Sequence, residues 1–318
     1  MYSGNGCSEW LTVGAARYPR LWTMQRRVAV LGSAGQLGVE LVRELKARDY
    51  AVSSWDRDRL DICDAGAVER QLADLDPSVV YNAAAYNQVD VAENEPQAAF
   101  QVNALAVRNI AIACRQIDAK LVHYSTDYVF DGRIDRPYRE QDPTHPLGAY
   151  AVSKLAGELY AQAYLDNCLI VRTCGVYGPG GLATARGNFV ELMLRLAGAG
   201  KPIRVVEDHV ASPTYAPALA ARTIDLVERG SSGIFHIGGG TPISWFEWAK
   251  LIFEASAVKP ELHPTSEREY RTAARRPKFS ALSNAKLEQS GVPPMPPLRE
   301  ALKAYMQQRP EWLQATRQ

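Results

Sequence analysis

The amino-acid sequence predicts an α/β protein, in which a doubly wound parallel sheet is followed by a smaller C-terminal lobe. Three observations favour this fold class. Short apolar runs alternate with helical patterns over 27–172, as right-handed βαβ crossovers require. A glycine-rich turn follows the first of these runs directly. After position 175, prolines and loops become frequent and fewer strands are expected, which indicates a lobe that is built differently.

The elements follow from local patterns along the chain. Strands are predicted where four to six residues form a short apolar run, as in strands buried on both faces, at 28–31, 50–55, 78–81, 121–124 and 169–172. Helices are predicted where apolar residues recur at helical spacing, at 37–48, 65–72, 96–115, 150–164, 188–196, 213–227 and 245–255. Ligands of such sheets bind at the carboxyl ends of the strands.

Composition excludes several classes of protein. The 318 residues carry 36 Lys and Arg against 35 Asp and Glu, a net charge of +1, so binding of nucleic acid through bulk charge is not expected. No apolar run reaches the length of a membrane span. The five cysteines and five histidines are dispersed, which predicts free thiols, no metal site and a cytoplasmic protein.

The glycine-rich turn has the pattern GxxGxxG. Gly32 permits the tight turn after the strand, Gly35 lets the backbone approach a diphosphate, and Gly38 lets the helix pack on the strand. The helix that begins near Gln36 and Leu37 offers backbone N–H groups to that diphosphate. This arrangement predicts a Rossmann-type dinucleotide site, and the alternative is an ordinary tight turn between strand and helix.

Residues after the second and third strands are placed for the rest of a dinucleotide. Asp56 ends the second strand, where a carboxylate accepts from ribose hydroxyls and favours NAD, whereas Arg57 could contact a 2′-phosphate. The sequence is therefore compatible with either NADH or NADPH as the cofactor. Asp61 and Ile62 are placed for the adenine. A small-residue segment after the third strand could line the cofactor or serve a close helix contact; it consists of Ala83, Ala84, Ala85 and Tyr86.

Tyr150 and Lys154 stand four residues apart on a predicted helix, so both side chains project from one face. A phenol has an unperturbed pKa of about 10, and a lysine ammonium nearby lowers it. Ser125 and Thr126 end the fourth strand, where a hydroxyl could bond to a reacting carbonyl. A YxxxK pattern alone is weak, but it is strong after this strand end and the glycine turn.

Several stretches together resemble the extended short-chain dehydrogenase/reductases, and among them the dTDP-4-dehydrorhamnose reductase family. The resemblance covers roughly 27–305. The matching stretches are 32–38, 82–86 with 89–90, 124–132, 150–158, 172–173 with 176–178, 188–190, 212–215, 276–277 and 280–283.

The resemblance implies the reduction of a nucleotide-bound keto-sugar to dTDP-L-rhamnose, a precursor of surface polysaccharide. Tyr150 would donate a proton to the C4 keto oxygen while NADPH or NADH delivers hydride, and Lys154 would bind the nicotinamide ribose. Thr126 would polarise the ketone. Asp127 would contact the sugar. Asn188, which belongs to one of the matching stretches, is also expected to bind the substrate. A homodimer is compatible with the sequence.

One position departs from the family pattern. The family usually has a tryptophan that packs on the substrate sugar between Cys174 and Val176, and this chain has Gly175. Either another residue, such as Tyr86 or Tyr177, closes the pocket, or the sugar differs. The tryptophans and phenylalanine of 245–248 are interpreted as buried apolar surface. Arg275 and Arg276 are equally compatible with a solvated pair and with a diphosphate contact.

The positions of the predicted cofactor and substrate residues along the chain predict two domains. A dinucleotide-binding domain is expected at 24–174 and a mainly substrate-binding lobe at 175–318, with part of 187–228 packing back on the first domain. Residues 1–23 lack the apolar segment of a signal peptide. We expect there a disordered extension, or a translation start placed too early, with Met24 as the initiator.

Two alternatives to this reductase remain open from the sequence. One is another reductase or an epimerase of nucleotide sugars on the same scaffold, acting on a different keto-sugar. The other is a non-catalytic binding subunit, which would resemble the regulatory subunit of methionine adenosyltransferase. The intact Thr126, Tyr150 and Lys154 set argues against this second alternative.

Overall fold

A six-stranded parallel sheet forms the centre of the computed structural model, which describes residues 26–184 and 187–315. The strands are β1 (Arg27–Leu31), β2 (Ala51–Trp55), β3 (Val79–Asn82), β4 (Lys120–Thr126), β5 (Leu169–Thr173), β6 (Ile203–Val206), β7 (Val210–Ala211), β8 (Gly233–His236), β9 (Ile243–Ser244) and β10 (Leu262–Thr265). The central sheet has the order β2-β1-β3-β4-β5-β8, so the doubly wound parallel sheet predicted from the sequence is confirmed.

Helices connect these strands and cover both faces of the sheet. They are α1 (Gln36–Ala47), α2 (Ala65–Leu75), α3 (Pro96–Phe100), α4 (Ala106–Gln116), α5 (Ala149–Tyr164), α6 (Phe189–Gly198), α7 (Ala216–Glu228), α8 (Trp245–Ser256), α9 (Ala285–Gln289) and α10 (Leu298–Ala315).

The first strand explains why both faces are covered. Val28 and Val30 pack into the apolar core that also contains α1 and α7 residues, whereas Ala29 and Leu31 pack into the core with α2 and α4. Successive side chains of a strand point to opposite faces, and all four of these residues are fully buried. A continuous apolar run therefore marks a strand between two helical layers.

The predicted helix at 96–115 contains a π-helical turn, Gln101–Leu105, between α3 and α4. The apolar spacing that predicts a helix does not reveal such a turn, because the residues on each side of the turn keep ordinary helical spacing among themselves. The turn buries Asn103 within the protein.

The second half of the chain contributes to the central sheet. Strand β8 pairs with β5 in parallel, with Arg172 opposite His236, and α7 packs against α1, where Arg48 bonds to Asp225 at 2.8 Å. No strand was predicted at 233–236 from the sequence. Residues on both sides of position 174 therefore build the sheet, and the division of the chain into two domains stays a prediction.

The smaller lobe has its own core, in which Tyr177, Trp248 and Tyr305 are fully buried. Two short pairings support it, β6 with β10 in parallel and β7 with β9 antiparallel. Trp245 and Phe246 are only half-buried, so the expectation of a buried aromatic cluster at 245–248 is correct for Trp248 alone. The expectations for 1–23 and Met24 lie outside the described residues. Within the described ranges, no helix could cross a membrane.

Candidate active site

The glycine turn after β1 is sterically restricted to glycine at two positions. Gly32 has a φ of +76°, and a Cβ there would lie 2.6 Å from the backbone nitrogen of Ala84. A Cβ on Gly38 would lie 2.2 Å from the Gly32 carbonyl oxygen. Because Cβ atoms do not tolerate such distances, these glycines bring the turn, α1 and the 83–86 segment into direct backbone contact.

The first turn of α1 is open to an anion. Gly35 is the N-cap, without a side-chain cap, and the first turn carries no acidic residue. The side chain of Gln36 is used elsewhere, since its amide nitrogen donates to the Val176 carbonyl at 2.7 Å. The backbone N–H groups of this turn are therefore suited to an anionic ligand, since no carboxylate of the turn competes for them. Leu37 packs against the central core.

The carboxyl end of β2 adjoins this turn. The Trp55 carbonyl accepts from the Gly32 N–H at 2.8 Å, and Asp56 follows directly, half-buried, beside the exposed Arg57. Asp61 is exposed and accepts from the Cys63 N–H at 3.0 Å. Ile62 lies in the core, 6% exposed. Asp56 and Arg57 stand side by side, so this end of β2 is compatible with the ribose of NADH and with that of NADPH.

Lys154 lies on α5 against the end of β4. Its Nζ donates to the Tyr124 carbonyl at 2.6 Å, and the residue is 3% exposed. Burial lowers the pKa of Lys154 to about 8, while the nearby Glu158 carboxylate acts in the opposite direction. Tyr150 lies one helical turn earlier, and its ring meets that of Tyr128 edge-on, with 6.2 Å between centroids.

Thr126 is the last residue of β4. Its hydroxyl donates to Asp127 Oδ1 at 3.1 Å and accepts from the Tyr128 N–H at 3.2 Å. The Asp127 carboxyl is 3% exposed, and burial raises its pKa to about 7 although the Ser280 and Thr126 hydroxyls act to lower it. The predicted proton donor and its lysine, both on α5, thus contact residues 124–128, where β4 ends and where the predicted carbonyl-binding hydroxyl lies.

The other residues predicted to bind substrate lie in different surroundings. Gly175 has a φ of +52°, and a Cβ there would lie 3.3 Å from Cη2 of Trp245. Asn188 caps α6 by accepting from the Glu191 N–H at 3.1 Å, and its Nδ2 donates to Gln36 Oε1 at 3.0 Å. The Asn188 amide therefore joins α6 to α1, and its contact with substrate stays a prediction.

Asn103, in the π-helical turn, is a buried residue next to the candidate site that was not predicted from the sequence. Its Oδ1 accepts from the Tyr86 N–H at 2.9 Å, and its Nδ2 donates to the Tyr86 carbonyl and to Ser153 Oγ, each at 3.0 Å. Asn103 thereby connects the segment beside the glycine turn to the helix that carries Tyr150. The 96–115 segment also contains Gln97, Gln101 and Asn109, so no local signal distinguishes Asn103.

A buried ion pair beneath the site was also missed. Arg172 on β5 binds Glu158 on α5, with Nη2 to Oε2 at 2.6 Å, and both side chains are at most 3% exposed. Ser125 on β4 donates to the same carboxylate. The pair therefore fixes α5 against two strands at the level of Lys154.

Arg276 is paired within the protein. It binds Asp90 through two bonds, Nη2 to Oδ2 at 2.6 Å and Nη1 to Oδ1 at 3.1 Å, and its guanidinium also bonds to Tyr128. Of the two interpretations of this arginine, a solvated pair does not describe it, because only 22% of its side chain is exposed. Across 26–184 and 187–315, no group of three His, Cys, Asp or Glu residues could hold a metal ion.

Comparison with known proteins extends over nearly the whole described chain. The family model described as "RmlD substrate binding domain" matches residues 26–310. The dTDP-4-dehydrorhamnose reductase of Mycolicibacterium smegmatis is 39% identical over 290 residues, 90% of this chain and 86% of that protein. The spore coat polysaccharide biosynthesis protein SpsK of Bacillus subtilis is 38% identical over 283 residues, 89% of this chain and 98% of SpsK.

A solved structure has the same fold throughout. The dTDP-4-dehydrorhamnose reductase of Bacillus anthracis, solved in complex with NADP, matches with a TM-score of 0.85 and 35% identity. The match covers 90% of this chain and all of that protein.

Proposed function

The chain belongs to the dTDP-4-dehydrorhamnose reductase family, and from that membership we infer an NAD(P)H-dependent oxidoreductase that reduces the C4 keto group of dTDP-4-dehydro-6-deoxy-L-mannose to give dTDP-L-rhamnose. The observation that carries this proposal is the buried Lys154 side chain, which donates to the Tyr124 carbonyl near the end of β4 and lies one helical turn from Tyr150. A buried lysine with a lowered pKa at the end of a parallel strand is typical of a functional site.

The glycine turn and α1 fit a nicotinamide dinucleotide. Gly32 lies too close to Ala84 for any side chain, and the uncapped first turn of α1 offers its N–H groups to the diphosphate. Asp56 and Arg57 would meet the adenosine ribose. When bound, the reduced nicotinamide supplies hydride to C4 of the sugar.

Tyr150 would donate the proton that the reaction needs, and Lys154 would assist this proton transfer. Tyr150 donates its phenolic proton to the C4 oxygen, so the ketone gains one hydride at carbon and one proton at oxygen and becomes an alcohol. The phenolate that remains is stabilised by the Lys154 ammonium, which the Tyr124 carbonyl holds in place at 2.6 Å. Solvent then returns the proton to Tyr150.

Thr126 and Asp127 would orient the sugar. The Thr126 hydroxyl, at the end of β4, donates to the keto oxygen and polarises the carbonyl. In the structure described, that hydroxyl donates to Asp127, so substrate binding exchanges one acceptor for another. The Asp127 carboxyl is then available to a sugar hydroxyl.

Four cysteines of the described segments are free, which supports a reducing compartment, and we propose the cytoplasm. A nucleotide sugar is the proposed small-molecule partner, and a homodimer stays a prediction.

The test is loss of nicotinamide absorbance with dTDP-4-dehydro-6-deoxy-L-mannose, for wild type, Tyr150→Phe and the control Tyr160→Phe on the same helix. We expect wild type and Tyr160→Phe to turn over, and Tyr150→Phe to lose at least about a hundredfold in kcat, within the range of general acid catalysis. Wild-type protein that binds NADPH but leaves this sugar unreduced would overturn the proposed substrate. Full activity of Tyr150→Phe would overturn the assignment of the proton donor.

A further inference from the structure

We propose that Trp245 supplies the aromatic surface on which the sugar of the substrate packs, in the space next to the side chain that Gly175 lacks. This inference rests on the proposed function, because it concerns the same keto-sugar site. It assigns a specificity-determining role to a residue that the sequence analysis interpreted as buried apolar surface.

The first observation is the contact between the two residues. A Cβ on Gly175 would lie 3.3 Å from Cη2 of Trp245 and 3.3 Å from Cα of Pro213. Gly175 also has a φ of +52°, in the left-handed region that favours glycine. A Cβ at 175 would therefore be in tight contact with the indole of Trp245, and in this chain the indole occupies the space beside Gly175.

The second observation is the position of this contact in the fold. Strand β5 ends at Thr173, which pairs with Thr126 at the end of β4, and Gly175 follows two residues later. The indole of Trp245 thus lies at the carboxyl edge of the sheet, beside the strand end that carries Thr126. This edge is where ligands of parallel α/β sheets bind.

The third observation is the way Trp245 is held. It is the first residue of α8, its backbone N–H donates to the His209 carbonyl at 3.1 Å, and the β7–β9 pairing fixes the preceding residues. The ring of Phe189 supports the indole at 4.7 Å between centroids and an interplanar angle of 57°. Trp245 nevertheless remains half-buried, whereas Trp248 on the same helix is 1% exposed.

An indole that its neighbours hold in place and that remains partly exposed at this edge can pack against the pyranose ring of a sugar. The C–H face of a sugar packs on an aromatic ring, and the ring loses little conformational freedom because its rotamer is already fixed by neighbours. The thymine base of the nucleotide would need no contact with this surface. The binding energy that Trp245 contributes should therefore appear only with ligands that carry the sugar.

The test compares steady-state kinetics of wild type, Trp245→Ala, Trp245→Phe and the control Phe246→Ala, which removes the neighbouring half-buried ring. We expect Trp245→Ala to raise KM for the keto-sugar about tenfold, with KM for NADPH unchanged. Trp245→Phe should recover most of that loss. Phe246→Ala should behave as wild type. Equal KM values for the keto-sugar in wild type and Trp245→Ala would overturn the inference.

Binding to the unreacted protein provides an independent readout. Titration calorimetry with dTDP-L-rhamnose and with dTDP should show that Trp245→Ala weakens the sugar-bearing ligand about tenfold and leaves dTDP unaffected. Equal weakening of both ligands would contradict a sugar platform. If wild type binds dTDP-L-rhamnose but reduces no keto-sugar, the proposed reaction fails, and the calorimetric comparison still decides the role of Trp245 in binding.

Discussion

At the residue scale, Lys154 is a cation in a place that disfavours charge. Burial lowers its pKa to about 8, so the ammonium predominates below that pH and is lost above it. Because the proposed mechanism uses this ammonium to stabilise the Tyr150 phenolate, we expect kcat/KM to fall as the pH rises through about 8. Arginine keeps its charge throughout this range, so in Lys154→Arg the fall should move to higher pH, whatever its absolute rate.

The comparison of pH profiles of kcat/KM for wild type and Lys154→Arg decides this point, with circular dichroism at each pH to confirm folding. The same alkaline fall in both proteins would assign it to a group other than Lys154.

Asp127 presents the opposite case, an acid that folding keeps protonated. Burial raises its pKa from 3.8 to about 7, so between these values the folded state binds more protons than the unfolded state, and stability falls as the pH rises. Asp127→Asn removes this titration. At pH 8 we expect the variant to be more stable than wild type, by up to about 4 kcal/mol at about 1.4 kcal/mol per unit of pKa.

Urea unfolding of wild type and Asp127→Asn at pH 4, 6 and 8 measures this difference, which should disappear towards pH 4. Asp58→Asn, a change at an exposed carboxylate, is the control. A difference that does not depend on pH would show that the carboxyl does not titrate as argued.

At the element scale, α5 is positioned by its contact with the π-helical turn. A Cβ on Gly157 would lie 2.2 Å from the Asn103 carbonyl oxygen, so Gly157→Ala must push α5 away from this turn. We expect a loss of about 1–3 kcal/mol in the free energy of unfolding, together with a lower kcat, because α5 carries Tyr150 and Lys154.

Gly198→Ala is the matched control, since a Cβ at the last residue of α6 meets nothing within 4 Å. Thermal unfolding should show this variant unchanged or stabilised by up to about 1 kcal/mol. If Gly157→Ala were as stable and active as Gly198→Ala, the close contact would have no role in placing the catalytic helix.

The same element shows what the sequence could predict. Tyr150 and Lys154 could be proposed as a pair because four residues of helix bring them to one face, and Thr126 could be proposed because it ends a strand. The contacts of α5 with Asn103 and Arg172 were not found, because their partners lie on other elements and no local spacing connects them. The first five strands of the sheet were predicted from apolar runs, whereas the short β8 (Gly233–His236), which follows a polar turn, gives no such signal.

At the scale of the whole molecule, the ion pair of Asp90 and Arg276 connects the two halves of the chain. These residues are 186 positions apart. Asp90 also accepts from the Ala274 N–H at 3.0 Å, so one carboxylate holds the segment around 272–276. Arg276 in turn bonds to Tyr128, whose ring meets that of Tyr150. The pair therefore connects the 272–276 segment to Tyr128 and Tyr150, the proposed proton donor.

Removing this carboxylate tests whether the lobe depends on it. Asp90→Ala leaves the partly buried Arg276 without its counter-charge, so the 272–276 segment should become less ordered and KM for the keto-sugar should rise several-fold, while KM for NADPH changes little. Limited proteolysis should cut the variant faster near this segment. Glu254→Ala, which breaks an exposed pair with Arg299, is the control and should match wild type in both measurements. Equal KM values for the keto-sugar in Asp90→Ala and Glu254→Ala would mean that the lobe is held in place by its apolar core alone.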